Sequence, residues 1–182
     1  MAQNNSAIII PSRLGSRRLP GKPLIELDGK PLVEWVINNA LKSKLASSIF
    51  VATDNREIFN IANDLGVTGV MTSDKHINGT ERLIEVAERY DFKNYINLQG
   101  DEPFISPKDI DRVIQAVDNG ESDVISLCHL SDLNSCKDDS VVKVVFDKNN
   151  NAMYFSRSVI PYNSKTPFQH VGLYGFTNKS LD

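Results

Sequence analysis

Four stretches of the chain repeat apolar residues at i, i+3, i+4 and i+7, the spacing that puts them on one face of a helix. They are Val33, Val36, Ile37, Ala40; Ile58, Ile61, Ala62, Leu65; Leu83, Val86, Ala87, Tyr90; and Ile110, Val113, Ile114, Val117. Three of the four open on capping residues. Asp54 and Glu57 have the spacing of a capping box, as do Asn78 and Glu81. Ser106-Pro107 sets an N-cap residue before a proline at the first helical position. Between the helices lie short apolar runs, Ala7–Pro11, Ile49–Ala52, Gly69–Met71, Tyr95–Leu98 and Asp123–Leu127, which read as buried strands. Strands alternating with helices predict right-handed βαβ units and a mainly parallel Rossmann-like sheet flanked by helices, an α/β fold. After Leu130 the pattern changes. Val141–Phe146, Ala152–Phe155 and Val171–Phe176 read as strands with little helix between them, so mixed or antiparallel strands are expected there.

Composition narrows the class of function. A chain of 182 residues can bury one sizeable core. No apolar run approaches the roughly 20 residues of a membrane span, and no membrane insertion is expected. The polar start, Met-Ala-Gln-Asn-Asn-Ser, lacks the features of a secretion signal, so a cytoplasmic protein is expected. Cys128 and Cys136 read as free thiols, lacking metal-site spacing. A net charge of −3 argues against a nucleic-acid partner. Charge is nevertheless concentrated between Ser12 and Lys22, where Arg13, Arg17, Arg18 and Lys22 occur without an acid. That points to a compact anionic ligand.

In parallel sheets ligands sit beyond the carboxyl ends of the strands, and the candidate chemistry falls there. The first strand runs into Ser12-Arg13-Leu14-Gly15-Ser16-Arg17-Arg18-Leu19-Pro20-Gly21-Lys22-Pro23. Its glycines permit close backbone approach, and Arg13, Arg18 and Lys22 can neutralise a polyphosphate. An exposed basic loop is the competing reading. The loop is not a P-loop: the glycine spacing is one residue too long, and Pro23 stands where Ser or Thr would bind magnesium. The fourth strand ends in Gln99-Gly100-Asp101-Glu102-Pro103, where Asp101 is the candidate ligand for Mg²⁺, or else part of a plain turn. Asp54 follows the second strand and is explained by capping. Asn78-Gly79-Thr80-Glu81-Arg82 opens the third helix, where Thr80 and Arg82 serve either a ligand or the fold. Arg157 ends an apolar run and either meets a carboxylate ligand or lies on the surface. His170, Gly172, Tyr174 and Phe176 share one strand face, where a lone histidine is commonly a satisfied core residue. No Ser/His/Asp or Cys/His nucleophile set is visible, which suits a transfer in which substrate oxygen attacks phosphorus directly.

Taken in order, seven segments resemble the 3-deoxy-manno-octulosonate (Kdo) cytidylyltransferase family. They are Ile9-Ile10-Pro11-Ser12-Arg13, Arg18-Leu19-Pro20-Gly21-Lys22-Pro23, Val51-Ala52-Thr53-Asp54, Gly79-Thr80-Glu81-Arg82, Gln99-Gly100-Asp101-Glu102-Pro103, Tyr154-Phe155-Ser156-Arg157 and His170-Val171-Gly172-Leu173-Tyr174-Gly175. The resemblance implies the nucleotide-diphospho-sugar transferase fold as one domain, with 1–130 as nucleotide-binding core and 131–182 as sugar-acid-binding part. It implies the reaction of CTP with Kdo to CMP-Kdo and pyrophosphate, with Mg²⁺, for lipopolysaccharide biosynthesis. Arg13, Arg18 and Lys22 would hold the triphosphate, and Asp101 the metal. Gln99 would contact nucleotide or sugar; Arg157, His170 and Tyr174 would face the sugar acid, with Arg157 on its carboxylate. The family continues past Leu181-Asp182 through a segment that supplies an acidic metal ligand, sugar contacts and part of a homodimer contact. A truncated, silent nucleotide-binding module or partner subunit is therefore a second reading, with weakened dimerisation. A cytidylyltransferase for sialic acid or an amino-Kdo is a third.

Overall fold

The run Ala7-Ile8-Ile9-Ile10 has no polar alternation because both faces of its strand are covered; all four residues are fully buried. The computed structural model of the chain describes residues 5–15 and 19–181. Its strands and helices, in chain order, are β1 (Ser6–Pro11), β2 (Glu26–Leu27), β3 (Lys30–Pro31), α1 (Leu32–Ala40), β4 (Ser48–Thr53), α2 (Arg56–Asp64), β5 (Thr68–Met71), α3 (Gly79–Ala87), β6 (Asn94–Leu98), α4 (Pro107–Asp118), β7 (Val124–Leu130), α5 (Leu133–Cys136), β8 (Lys143–Phe146), β9 (Ala152–Ser156) and β10 (Phe168–Thr177).

The chain divides into two compact units, one running through Ile125 and resuming at Leu173, the other Ser126–Gly172. The chain from Leu173 onward thus belongs to the first unit. The reason lies in β10, whose second half pairs antiparallel with β6, Leu173 opposite Leu98 and Tyr174 opposite Asn97. In the first unit β5, β4, β1 and β6 lie side by side in parallel. Ala7, Ile9, Phe50, Ala52 and Tyr95 form one face, covered by Leu83 and Val86 of α3. Burying Ile9, Leu83 or Val86 contributes about 1.5–3 kcal/mol each. Gly175 brings β10 under α4: a Cβ there would stand 2.4 Å from Val117 and 2.7 Å from Val113.

In the second unit the first half of β10 pairs antiparallel with β8, and β8 with β9. The expected antiparallel C-terminal strands are therefore present. Lys143 is fully buried there; its ammonium donates to the backbone carbonyls of Asp138, Val141 and Arg157. The β2–β3 hairpin was not expected from periodicity, because its strands are only two residues long. Its turn residues, Asp28 and Gly29, both have positive φ, the geometry that Asp-Gly favours in two-residue hairpin loops.

The capping expectations resolve unequally. Asn78 accepts from the Glu81 N–H, and Ser106 caps α4. Asp54 does not cap α2: the adjacent Asn55 accepts from the N–H groups of Glu57 and Ile58. That correction frees the Asp54 carboxylate for other partners.

Candidate active site

A cavity of about 310 Å³ opens in the first unit beyond the carboxyl ends of β1 and β6. Its walls come from three segments. Ser12, Arg13, Lys22 and Pro23 follow β1; Ile77, Asn78, Gly79 and Arg82 open α3; Gln99, Gly100 and Asp101 follow β6. The two strands are paired neighbours, with Ile9 opposite Asn97, so their exits are adjacent.

Lys22 and Asp101 meet here. The Lys22 ammonium donates to Asp101 Oδ2 at 2.7 Å, and both side chains are partly exposed at the cavity wall. Lys22 starts a short 3₁₀ turn, Lys22–Leu24, that follows Gly21 at φ 70°. A side chain at residue 21 would be strained in that left-handed conformation. Arg13 donates to the Ile77 carbonyl at 3.2 Å, linking the basic loop to the segment before α3. Arg18, expected beside them, lies outside the described residues.

Gly100 lets the two strand exits close on each other. A Cβ there would lie 2.4 Å from Ser12 Oγ and 2.9 Å from the Pro11 carbonyl oxygen. Gln99 donates to Asn97 Oδ1 at 3.0 Å, and a Cβ on Gly79 would touch its amide at 3.3 Å. Ser12 Oγ and Asn97 Nδ2 are buried and have no hydrogen-bond partner among the described residues. Neither was singled out from the sequence; both sit at strand ends where burial cannot be read from the residue type. Thr80 is exposed on the first turn of α3, whereas its neighbours Asn78 and Gly79 line the cavity. Arg82 is 1% exposed. It donates to Asp54 Oδ2 at 3.0 Å and to Thr72 Oγ1, so its charge is compensated within the protein.

A divalent cation fits this donor set in one mode. Among the described residues no three His, Cys, Asp or Glu side chains gather as a metal cage. Asp101 offers a single carboxylate at the cavity wall. Mg²⁺ commonly takes one or two carboxylates and completes its shell with water and substrate phosphate oxygens, which this arrangement permits.

Tyr174 lies opposite Asn97 on β10, its ring stacked on Phe176 at 6.2 Å between centroids. Burial, with the Glu102 charge, raises its pKa and keeps the phenol protonated as a donor. In the second unit the Arg157 guanidinium donates to the carbonyls of Asp139 (2.6 Å) and Ser140 (3.2 Å). His170 lies 2.7 Å from Ser126 Oγ and packs edge-on to Phe155. Burial lowers the His170 pKa, favouring the neutral ring in the folded state. The unfolded chain then binds more protons as pH falls through the ordinary histidine range. The stability this group contributes is present above about pH 6.5 and is lost below it. Thermal melts from pH 7.5 to 5.5 should therefore fall less steeply for His170→Gln than for the parent; an equal slope would contradict the assignment.

The first unit sets a basic loop and a carboxylate at adjacent strand exits, and the comparisons with known proteins show the chain to be a nucleotidyltransferase. The cytidylyltransferase family matches residues 7–181. The 3-deoxy-manno-octulosonate cytidylyltransferase of Escherichia coli is 39% identical over 98% of this chain and 74% of its own length. That of Chlamydia trachomatis serovar A is 43% identical over 95% of this chain and 71% of its own. A solved CMP:2-keto-3-deoxy-manno-octonic acid synthetase complexed with CTP superposes with a TM-score of 0.88 at 38% identity, covering 97% of this chain and 76% of that one. A cytidylyltransferase from Leptospira borgpetersenii, 19% identical with a TM-score of 0.62, shares the fold. The chain belongs to the 3-deoxy-manno-octulosonate cytidylyltransferase family.

Proposed function

We infer that the chain transfers CMP from CTP to Kdo, giving CMP-Kdo and pyrophosphate. The observation that carries this reading is the Lys22–Asp101 contact at 2.7 Å, which unites the basic loop after β1 with the carboxylate after β6. Arg13, Lys22 and Arg18 are assigned to the triphosphate. Gln99, whose amide is oriented by Asn97, is assigned to the nucleotide or sugar. Asp101 would hold Mg²⁺, which when bound neutralises phosphate charge and favours ionisation of an attacking hydroxyl. Tyr174, Arg157 and His170 are assigned to the sugar acid, with Arg157 on its carboxylate.

In the reaction the anomeric hydroxyl oxygen of Kdo forms a bond to the α-phosphorus of CTP. The bond from that phosphorus to the bridging oxygen breaks, pyrophosphate leaves, and the hydroxyl proton passes to solvent. The protein's part is to position groups and neutralise charge. The Lys22–Asp101 pair supports this assignment because it is partly exposed: such a pair contributes at most about 1 kcal/mol, so Lys22 exchanges its carboxylate for phosphate at little cost. No helix among the described residues is long and apolar enough to cross a membrane. We place the reaction in the cytoplasm. A homodimer is also proposed, with a contact weakened for want of the C-terminal segment that the family has.

The test is pyrophosphate release with four nucleoside triphosphates and three sugar acids. CTP with Kdo and Mg²⁺ should give the highest kcat/KM. Preference for sialic acid or an amino-Kdo would redirect the substrate assignment, and absence of turnover in folded protein would refute the activity.

A further inference from the structure

We propose that Asp54 is a positioning residue for the triphosphate loop: its two carboxylate oxygens tie the Leu14 amide to the buried Arg82 guanidinium, holding Arg13 and Lys22 at the cavity. The inference rests on the reading of that loop as the triphosphate site.

The geometry runs through named bonds. Asp54 Oδ1 accepts from the Leu14 N–H at 3.2 Å, and Asp54 Oδ2 from Arg82 Nη2 at 3.0 Å. Arg82 is itself fixed on its other arm by Thr72 Oγ1. Thr72 in turn donates its hydroxyl and its N–H to the Thr53 carbonyl, at 3.1 and 2.9 Å. Asp54 is thus held by the end of β4, the segment after β5 and the first turn of α3 together.

Leu14 is the residue that this frame reaches. Its carbonyl accepts from the Gly21 N–H at 3.1 Å, closing the base of the loop one residue before Lys22. Its neighbour Arg13 lines the cavity. One residue earlier still, the Ser12 N–H donates to the Ala52 carbonyl at 2.9 Å, so the chain leaves the sheet in a fixed direction. Bonded to Asp54 through its N–H and to Gly21 through its carbonyl, Leu14 links the Asp54 frame to the positions of the two flanking cations. It also accounts for Arg82, a buried cation at the cavity wall whose charge is directed to Asp54.

Asp54→Asn leaves one acceptor where two donors need one each, so either Leu14 or Arg82 loses its partner. The expected result is a Kd for CTP, measured calorimetrically with Mg²⁺, raised about tenfold, the worth of one charge-assisted hydrogen bond. The KM for Kdo should stay within about twofold, because the change acts on one substrate only. A purely structural defect would move both constants together or neither. Should Asp54→Asn not fold, Asp54→Glu keeps Arg82 compensated while moving the carboxylate one methylene off Leu14, and the same split is expected. Lys22→Ala run in parallel separates the two levels of the argument. If it leaves CTP affinity unchanged, the triphosphate reading of the loop fails. If it weakens CTP while folded Asp54 variants bind CTP like the parent, or lose both substrates equally, the positioning role alone is overturned.

Discussion

Asp101→Asn is expected to reduce pyrophosphate release from CTP and Kdo by at least about a hundredfold, the scale of removing a key electrostatic group from a transfer site. The substitution keeps the shape of the side chain and removes its charge. Among the described residues that charge is paired with Lys22, at 2.7 Å and partly exposed. The pair contributes at most about 1 kcal/mol, so the melting temperature should move by only a few degrees, about 2–4 °C at most for a chain of this size. The expected signature is a large loss of turnover with the fold retained, read by a pyrophosphate assay beside a thermal melt. Turnover near the parental rate at saturating Mg²⁺ would show that Asp101 is a turn residue and nothing more.

Gly100→Ala should act on the same chemistry by a different route. The backbone at Gly100 has no positive φ among the described residues, so the constraint is space and not conformation. The added methyl would stand 2.4 Å from Ser12 Oγ and 2.9 Å from the Pro11 carbonyl oxygen. The hydroxyl can rotate away. The carbonyl belongs to β1 and cannot, so the exits of β1 and β6 must part. Forcing a methyl into a packed site typically costs about 1–3 kcal/mol. Because Lys22 follows one exit and Asp101 the other, the same displacement separates them. The variant is expected to unfold at lower temperature and also to lose kcat/KM by about tenfold or more while folded, since small misplacements at a transfer site are costly. Lowered stability with undiminished kcat/KM would mean that the close approach serves packing alone.

The parallel half of the fold was legible because its elements announce themselves in periodicity. The run Ala7–Ile10 and the four helical faces correspond to β1 and to α1–α4. The place of the candidate cavity was legible for a related reason: ligands in such sheets sit beyond the strand ends, and Lys22 and Asp101 each follow one. What periodicity does not encode is which of two adjacent caps a helix uses. Asp54 and Asn55 are equivalent by residue type, and only the folded chain shows Asn55 taking the α2 amides while Asp54 turns to Arg82 and Leu14. The burial of Ser12 and Asn97 is hidden in the same way, since it depends on neighbours distant in sequence. The same holds for Lys143, a residue type rarely buried, which is enclosed by carbonyls of two separate loops. The return of the last ten residues to the first unit follows from the pairing of β10 with β6, a contact between strands about seventy-five residues apart that no local pattern carries.

The most direct measurement is a crystal structure of the protein with CTP and Mn²⁺ in place of Mg²⁺, using the anomalous signal of manganese. The account predicts an anomalous peak coordinated by Asp101 and phosphate oxygens, with Lys22 released from Asp101 onto the triphosphate. A triphosphate bound away from both residues, or a peak on other ligands with the Lys22–Asp101 pair intact, would contradict it.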